Sequence, residues 1–384
     1  MSSFTFETTP RLLCEIGGVQ RLGQLARDLG IKKALLVTDS GLVAAGLLAA
    51  PQAALDAAGV QVELFQEVQA DPPQASIEAA IASAREAGVD GVIGLGGGSS
   101  LDTAKLAALL CGQDQALPEI YGIGLAKGPR LPLIQVPTTA GTGSEVTPIS
   151  IVTTPSHEKK GVVSPLLYPD LALLDAELTL GLPAAVTAAT GIDAMVHAIE
   201  SYTSKHKKNA ISDGLGVKAL ALLSGNMDRV IADGGDIQAR EAMLLGSCLA
   251  GMAFANAPVA AVHALAYPLG GHFHVPHGLS NALVLAPVLD FNRAGAEALY
   301  AELAAVVLPE DSFPDDAAAC AAFTEFMTAL VRRMPFAQRL RDVGVGANDL
   351  DMLADDAMKI DRLLTNNPRE MTRQAARAIY ESVF

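Results

Sequence analysis

Residues 91–110 have the sequence GVIGLGGGSSLDTAKLAALL, in which a β-branched run passes through glycines and serines into an Ala- and Leu-rich run. Gly91–Leu95 predicts a buried strand and Leu101–Leu110 a helix. The same alternation occurs on either side, with strands predicted at Lys32–Thr38 and Leu131–Val136 and a helix predicted at Gln74–Ala87, ending at Gly88. Strands and helices in repeated alternation predict a parallel α/β sheet.

The second half of the chain has a different pattern. From about Leu182, strand-like runs disappear, and Ala-, Leu- and Met-rich helical patterns continue to Phe384. A length of 384 residues also exceeds what one compact core usually holds. We therefore expect an α/β domain over residues 1–182 and an all-helical domain over residues 183–384, with the boundary near Leu180–Pro183.

The composition limits the class of protein. Half of the residues are hydrophobic and 18% are charged, so the chain can bury large cores. A net charge of −15 argues against a nucleic-acid partner. The N-terminal residues do not resemble a signal peptide, and no apolar stretch reaches the ~20 residues of a membrane span. The four cysteines form no CxxC pair. These features predict a cytoplasmic protein without a membrane partner.

The small-residue loop at Gly96–Ser100 lies between a predicted strand and a predicted helix. Glycines let a backbone approach a pyrophosphate closely, and a helix N-terminus offers unpaired N–H groups and partial positive charge. Ser99 or Ser100 is the expected N-cap. A simple tight turn explains the same residues, and the sequence leaves both interpretations open.

Two other strand ends carry polar residues. Asp39 follows the first predicted strand, where a carboxylate can accept both ribose hydroxyls of NAD and repel the 2′-phosphate of NADP. Its alternative role is to cap the Ser40–Gly41 turn, which the spacing alone favours, because the acidic residue of the usual GxGxxG fingerprint follows the glycines. Thr138–Thr147 follows the third strand and predicts either a nicotinamide or phosphate pocket or a hydroxyl-rich turn.

Carboxylate and imidazole groups are concentrated in the helical half. Asp193 and His197 are four residues apart and share a helix face. Four of the seven histidines fall within fifteen residues, namely His263, His272, His274 and His277. An Asp with several imidazoles suits iron or zinc. Taken singly, a histidine on an apolar face is more often a hydrogen-bonded core residue than a ligand, and counting leaves open which of them bind a metal.

Several segments together resemble the iron-containing (group III) alcohol dehydrogenases. They are GGGSSLDTAK (Gly96–Lys105), PTTAGTGSEVT (Pro137–Thr147), ATGIDAMVHAIE (Ala189–Glu200), HALAYPLGGHFHVPHGLSNAL (His263–Leu283) and NNPREM (Asn366–Met371). The resemblance covers essentially the whole chain, in the right order. It implies a dehydroquinate synthase-like architecture, in which an N-terminal dinucleotide-binding α/β domain and an all-α C-terminal domain flank the active site.

The resemblance also implies site residues. It assigns a divalent metal, Fe²⁺ or alternatively Zn²⁺, to Asp193, His197, His263 and His277, and leaves His272 and His274 as catalytic neighbours. It assigns NAD to Asp39, Gly97, Gly98, Ser99, Asp102, Thr138, Thr139, Thr142, Thr147 and Lys160. The motif around Lys160, His157–Val162, matches the family more loosely.

One position departs from the family pattern. In the segment His263–Leu283, the family usually has a second histidine four residues after the first, and this chain has Tyr267 there. If the helix persists through Pro268, the phenol faces the metal side; otherwise it only packs. A phenol ordinarily loses its proton near pH ~10 and an imidazole near ~6.5. We therefore expect Tyr267 to donate a hydrogen bond and line the pocket, while protons leave through water, ribose hydroxyls, His272 or His274.

The expected function is reversible, metal-dependent hydride transfer between a small-molecule alcohol and NAD, giving an aldehyde or ketone. The expected alcohol is primary, either a small aliphatic one or a diol. Within the same fold, the alternatives are a glycerol dehydrogenase, a maleylacetate reductase or a dehydroquinate synthase. From another class, the alternative is a non-catalytic nucleotide- or metal-binding protein. We expect a homodimer or a larger homo-oligomer.

Overall fold

The computed structural model describes residues 3–156 and 158–384. They group into two compact units, Glu7–Leu182 and Pro183–Phe384, the latter joined by residues 3–6. No single helix in the described residues is long and apolar enough to cross a membrane, although Ile237–Asn256 and Ala261–Phe273 have sufficient length and hydropathy as a pair bent by 105°.

The described part of Glu7–Leu182 contains nine strands in two sheets. Their bounds are β1 (Leu12–Cys14), β2 (Lys33–Val37), β3 (Gln61–Phe65), β4 (Gly91–Gly96), β5 (Gly122–Ile123), β6 (Leu133–Pro137), β7 (Ile149–Thr153), β8 (Lys159–Val163) and β9 (Leu171–Leu174). The larger sheet has the order β1-β9-β6-β4-β2-β3 and every pairing in it is parallel. The predicted parallel α/β sheet is therefore confirmed. A smaller sheet has the order β5-β8-β7.

Five helices of this unit pack around the sheet. They are α1 (Leu22–Asp28), α2 (Ser40–Ala44), α3 (Ala49–Ala57), α4 (Gln74–Ala87) and α5 (Gly98–Leu110). Successive residues of β2 alternate between two cores: Leu35 and Val37 join one, and Leu36 joins the other. Because successive side chains of a strand point to opposite faces, this sheet is buried on both sides, as parallel sheets usually are.

Two helix starts and ends test the sequence predictions locally. Helix α4 begins and ends where the sequence predicts, and Gly88 ends it with a φ of 62°, a left-handed conformation that favours glycine. Helix α5 begins at Gly98, earlier than predicted, with Gly97 as its N-cap. The N-cap predicted at Ser99 or Ser100 is therefore wrong. The turn is shorter because Gly96 adopts a φ of 154°, so the chain enters the helix directly after it.

Pro183–Phe384 is described in full and contains helices and no strand. The α-helices are α6 (Ala184–Tyr202), α7 (Ala210–Ala232), α8 (Ile237–Asn256), α9 (Ala261–Phe273), α10 (His277–Val307), α11 (Asp316–Arg332), α12 (Leu350–Ala357), α13 (Asp361–Leu364) and α14 (Arg373–Ser382). Helix α6 is buried along most of its length. A Cβ atom on Gly191 would lie 2.4 Å from Cε of Met227, so a larger residue there would displace the end of that flexible side chain.

Candidate metal centre and cofactor loops

Three helices bring the four predicted metal ligands together. Asp193 and His197 lie one turn apart on α6, His263 lies on α9, and His277 is the first residue of α10. The start of α10 packs tightly on α6, because a Cβ atom on Gly278 would lie 2.5 Å from the carbonyl oxygen of Ala189. This contact places His277 beside the turn of α6 that carries Asp193.

The ligand atoms of these side chains converge. One atom from each of the four residues lies within 4.8 Å of the others. Oδ1 of Asp193 is 3.7 Å from Nε2 of His263 and 3.6 Å from Nε2 of His277. Nε2 of His263 is 3.0 Å from Nε2 of His197. Asp193, His197 and His263 are buried, and His277 is partly exposed, so the cluster is reachable from one side.

Two buried residues that sequence reasoning missed hold this cluster. Glu200, one turn after His197 on α6, accepts hydrogen bonds from the backbone N–H groups of Ala260 (2.9 Å) and Val262 (2.7 Å) at the start of α9. Its Oε2 atom is also 2.7 Å from Nδ1 of His263. Asn281 donates from Nδ2 to Oδ1 of Asp193 at 2.6 Å. Both residues stand inside the quoted motifs, but only the folded chain shows their partners.

The arrangement fits a divalent metal ion. Because Glu200 accepts the Nδ1 proton of His263, the lone pair of Nε2 points toward His197 and Asp193. A carboxylate and several imidazole nitrogens buried face to face are all electron-pair donors, and a cation stabilises them together. A carboxylate that fixes the tautomer of a ligand histidine is also a usual companion of metal sites.

The other predicted residues of this half lie outside the group of four. His272 is exposed and pairs with Asp356 at 2.6 Å. His274 is exposed and ends α9 in the left-handed conformation, with a φ of 54°. Helix α9 continues through Pro268, and the ring centroid of Tyr267 is 6.0 Å from that of His277. The structure thus favours Tyr267 over His272 and His274 as a neighbour of the metal ligands.

Glu200→Gln should weaken metal binding by about 10–100-fold while the fold is retained. The glutamine amide cannot accept the Nδ1 proton of His263 and both backbone hydrogen bonds at once, so His263 would place its proton on Nε2 and lose the lone pair that faces the metal. Competition with a chelator measures the metal Kd. Unchanged metal affinity in this variant would contradict the orienting role of Glu200.

The predicted cofactor residues of the other unit follow the carboxyl ends of neighbouring parallel strands. Gly97 and Gly98 follow β4, and the threonines of Thr138–Thr147 follow β6. A Cβ atom on Gly97 would have only Thr139 nearby, at 3.6 Å, whereas one on Gly98 would lie 2.8 Å from Cγ2 of Thr142. Gly97 therefore leaves open space at the start of α5, where a phosphate would meet N–H groups.

Asp39 caps α2, as the spacing alone favours. Its Oδ1 atom accepts hydrogen bonds from the N–H groups of Gly41 (2.9 Å) and Leu42 (3.1 Å). Within the described residues, Oδ2 of Asp39 accepts no hydrogen bond from the protein. Capping and ribose binding use different oxygens, so the two interpretations of Asp39 are compatible.

Asp102 and Thr147 join a buried network around Lys105, another residue that sequence reasoning missed. Nζ of Lys105, which is fully buried, donates to Ser144 Oγ (2.7 Å), Thr147 Oγ1 (3.1 Å) and the Ile149 carbonyl (2.7 Å). Asp102 lies 3.4 Å from Nζ and accepts from Ser144 at 2.6 Å. Burial lowers the pKa of Lys105, and Asp102 opposes this effect. The feature of the sequence that could have indicated this buried role is a single lysine in an otherwise apolar helical stretch.

Two predicted cofactor residues have other partners. Ser99 Oγ accepts a hydrogen bond from the N–H of Asp71 at 3.2 Å, which ties the glycine loop to a neighbouring loop. Lys160 is exposed on β8 and pairs with Glu158 at 2.9 Å. His157, the first residue of the Lys160 motif, lies outside the described residues.

Two family models match consecutive parts of the chain. Residues 9–176 match the family described as iron-containing alcohol dehydrogenase. Residues 187–384 match the family described as Fe-containing alcohol dehydrogenase, C-terminal.

Individual relatives match over nearly the full length. Long-chain-alcohol dehydrogenase 1 of Geobacillus thermodenitrificans is 40% identical over 96% of this chain and 93% of its own. The crystal structure of a 1,3-propanediol oxidoreductase is 33% identical, covers 100% of both chains and superposes with a TM-score of 0.96. The structure of sulfoacetaldehyde reductase from Bifidobacterium kashiwanohense in complex with NAD⁺ is 27% identical, with a TM-score of 0.88, and covers 100% of this chain and 99% of its own. The chain therefore belongs to the iron-containing alcohol dehydrogenase family of oxidoreductases.

Proposed function

We propose that this protein catalyses the reversible, NAD-dependent and metal-dependent oxidation of an alcohol to an aldehyde or ketone. The observation that carries the proposal is the buried convergence of Asp193, His197, His263 and His277, with His263 oriented by Glu200. These four residues are the proposed ligands, for Fe²⁺ or alternatively Zn²⁺. When bound, the metal supplies Lewis acidity to an alcohol or carbonyl oxygen.

The chain's own residues have proposed roles in positioning. His277, the partly exposed ligand, marks the side from which a substrate reaches the cluster. Tyr267 borders that side with its aromatic ring and restricts the volume available there. Glu200 and Asn281 are buried and hold the ligand side chains away from solvent. Electrostatic interactions with a substrate oxygen are stronger in such a place than in water.

The NAD site is proposed at the glycine loop and its neighbours. The N–H groups at Gly97, Gly98 and Ser99 would receive the pyrophosphate, and Asp39 the adenine-side ribose. The remaining proposed contacts are Asp102, Thr138, Thr139, Thr142, Thr147 and Lys160. Open space at Gly97, the α5 N-terminus and the NAD⁺ complex of the Bifidobacterium relative support this site. The nicotinamide supplies the hydride chemistry.

The two compact units support a proposed division of the chain into two domains. Residues 1–182 would bind the cofactor, and residues 183–384 would bind the metal. The relatives are named for long-chain alcohols, 1,3-propanediol and sulfoacetaldehyde, so the names alone give no single substrate. A small primary alcohol or diol is the starting proposal. A homo-oligomer in the cytoplasm is proposed as well.

A metal assay combined with activity measurements tests the function. Protein loaded with Fe²⁺ or Zn²⁺ should oxidise members of a panel of primary alcohols and diols with NAD, and reduce the matching aldehydes with NADH. The chelated protein should be inactive and should recover on adding metal back. Turnover that is unaffected by complete metal removal would refute the proposal.

The unmodified enzyme should prefer NAD over NADP, because the Asp39 carboxylate would repel a 2′-phosphate. Asp39→Gly and Asp39→Asn should both reduce the ratio of kcat/KM values for NAD and NADP by about tenfold, or ~1.4 kcal/mol. Asparagine keeps the Oδ1 acceptor that caps α2, so it separates the charge from the cap. Equal kcat/KM for both cofactors in the unmodified enzyme would disprove the assignment.

Tyr267→Phe should keep the metal and turnover within about threefold. Within the described residues the phenol oxygen forms one long hydrogen bond, 3.5 Å from Nη2 of Arg362, and the ring remains in the variant. Tyr267→His should add an ionisation near neutrality to the pH–rate profile, because imidazole titrates near ~6.5. A collapse of kcat in Tyr267→Phe with the metal retained would instead show that the phenol takes part in proton transfer.

A further inference from the structure

An arginine lies one aromatic ring away from the candidate metal ligands. The ring centroid of Tyr267 is 6.0 Å from that of His277, and Cζ of Arg362 is 5.7 Å from the centroid of Tyr267. Nη2 of Arg362 is 3.5 Å from the Tyr267 hydroxyl oxygen. A permanent positive charge therefore lies near the partly exposed side of the cluster.

The backbone of Arg362 is anchored to the segment that leads into α9. Nδ2 of Asn366 donates to the carbonyl oxygen of Arg362 at 3.0 Å and to that of Val259 at 3.2 Å. The adjacent Leu363 is buried. Because α9 carries both His263 and Tyr267, this double hydrogen bond fixes the base of Arg362 relative to the metal cluster. The exposed side chain of Arg362 therefore begins at a fixed distance from the cluster.

The guanidinium of Arg362 has donors available for a ligand. In the described residues it forms no ion pair within 4.0 Å, whereas Arg333 and Arg373 each bind an aspartate. A guanidinium has five N–H donors in a fork that matches a carboxylate or a related oxyanion. Within the described residues, the 3.5 Å hydrogen bond to Tyr267 is the one that this guanidinium forms, so the fork can bind an anion.

The net charge of the chain bears on how an anionic substrate could bind near Arg362. The chain has a net charge of −15, so its general field repels anions and gives no attraction for them at a distance. An anionic substrate therefore needs a specific cation beside the reacting centre. Arg362 is placed for that role, and Lys would be a poorer substitute because it lacks the planar fork.

Resting on the proposed function, we infer that the substrate carries an anionic group, a carboxylate or a sulfonate, at the end remote from the reacting carbon, and that Arg362 binds it. In reduction, the aldehyde carbon gains a hydride from NADH, its oxygen gains a proton, and NAD⁺ leaves. The anionic group is unchanged by the reaction. Its chain would pass along the Tyr267 ring, between the metal ligands and the guanidinium.

Matched aldehydes test this inference in the metal-loaded enzyme with NADH. The four-carbon pair 4-oxobutanoate and butanal differs in the terminal carboxylate, and sulfoacetaldehyde tests the sulfonate. The better anionic substrate should exceed butanal in kcat/KM by about tenfold or more. Arg362→Gln should lower kcat/KM for this anionic substrate by about 10–100-fold by raising KM, as expected when hydrogen bonds to a charged group are lost. It should change kcat/KM for butanal by less than about twofold. Arg362→Lys should recover part of the loss.

Arg332→Gln is the matched control, because Arg332 is also an exposed arginine of the helical unit, at the end of α11. It should leave the kinetics of every aldehyde unchanged. A preference for butanal in the unmodified enzyme would overturn the inference. So would an equal loss for neutral and anionic aldehydes in Arg362→Gln, since Arg362 would then only cover Tyr267.

A binding measurement separates this inference from the proposed function. Calorimetric titration of the Zn²⁺-loaded protein should give a Kd for succinate about tenfold lower than that for butanoate, which lacks the second carboxylate. Arg362→Gln should abolish the difference. If this discrimination holds although no aldehyde is reduced, the anion site stands and the proposed function fails. Equal Kd values for the two acids would overturn the anion site, whatever the turnover.

Discussion

His263→Ala should remove the metal and at the same time lower kcat by about 10³-fold. His263 is the central ligand of the proposed site, with Nε2 3.0 Å from His197 and 3.7 Å from Asp193. A bound divalent ion contributes several kcal/mol to stabilising the charge of a transition state, which corresponds to about this factor. Elemental analysis of the purified variant gives metal per chain, and NADH absorbance gives kcat.

The exposed histidine His206 provides the control for this loss. His206→Ala removes an imidazole from the surface of the same unit and should keep full metal content and turnover. The alanine at 263 also leaves Glu200 without its imidazole partner in a buried place, so some loss of stability accompanies the loss of metal. A circular dichroism melt separates unfolding from metal loss. Full metal content and full turnover in His263→Ala would refute the ligand assignment.

The residues of the four-residue cluster were accessible from sequence only in part, since the choice of His263 and His277 among the clustered histidines comes from the family resemblance. Asp193 and His197 are an i, i+4 pair on an apolar helix, and His277 follows a proline that starts the next helix. The parallel sheet was equally accessible, since its central strands are short apolar runs bounded by glycine. For the Asp193–His197 pair and for the sheet, the deciding information lies within a few neighbouring residues.

The supporting residues could not be predicted in the same way, because their partners are remote along the chain. Glu200 contacts residues that follow it by sixty or more positions, and Asn281 contacts Asp193 across 88 positions. On a helix, an acidic residue or an amide usually indicates a solvated face. The exposed histidines show the converse. His272 and His274 lie within a histidine-rich stretch, yet His272, in the last turn of α9, pairs with Asp356, and His274 follows the end of the helix in the left-handed conformation.

The start of α5 shows a third kind of limit. A serine after a glycine run is a common N-cap, but here Gly96 turns the chain within a single residue and Gly97 takes the cap position. The pattern of polar and apolar neighbours does not show where a glycine adopts a backbone conformation that other residues rarely adopt. The same early start brings Asp102 and Lys105 into the first two turns of the helix, where they meet the loop that follows β6.

Lys105→Met should lower the free energy of unfolding of the Glu7–Leu182 unit by about 3–5 kcal/mol, the usual cost of removing one partner of a buried ion pair. The variant leaves Asp102 without its cation, and the Ile149 carbonyl and the Ser144 hydroxyl without a donor. Hydrogen exchange measured on peptides covering residues 98–110 and 144–153 should therefore accelerate. Urea unfolding followed by circular dichroism gives the global value.

The pH dependence gives a second, independent readout. Burial lowers the pKa of Lys105 below its ordinary value of 10.5, despite the opposing effect of Asp102. Between the lowered pKa and 10.5 the unfolded chain binds more protons at this residue than the folded chain does, so this residue makes stability rise with pH in that alkaline window. Lys105→Met should remove that rise, whereas the exposed Lys32→Met should leave both the stability and its pH dependence unchanged. Wild-type stability in Lys105→Met would mean that the hydroxyl and carbonyl groups of the loop find other partners, and that the lysine does not hold the loop against α5.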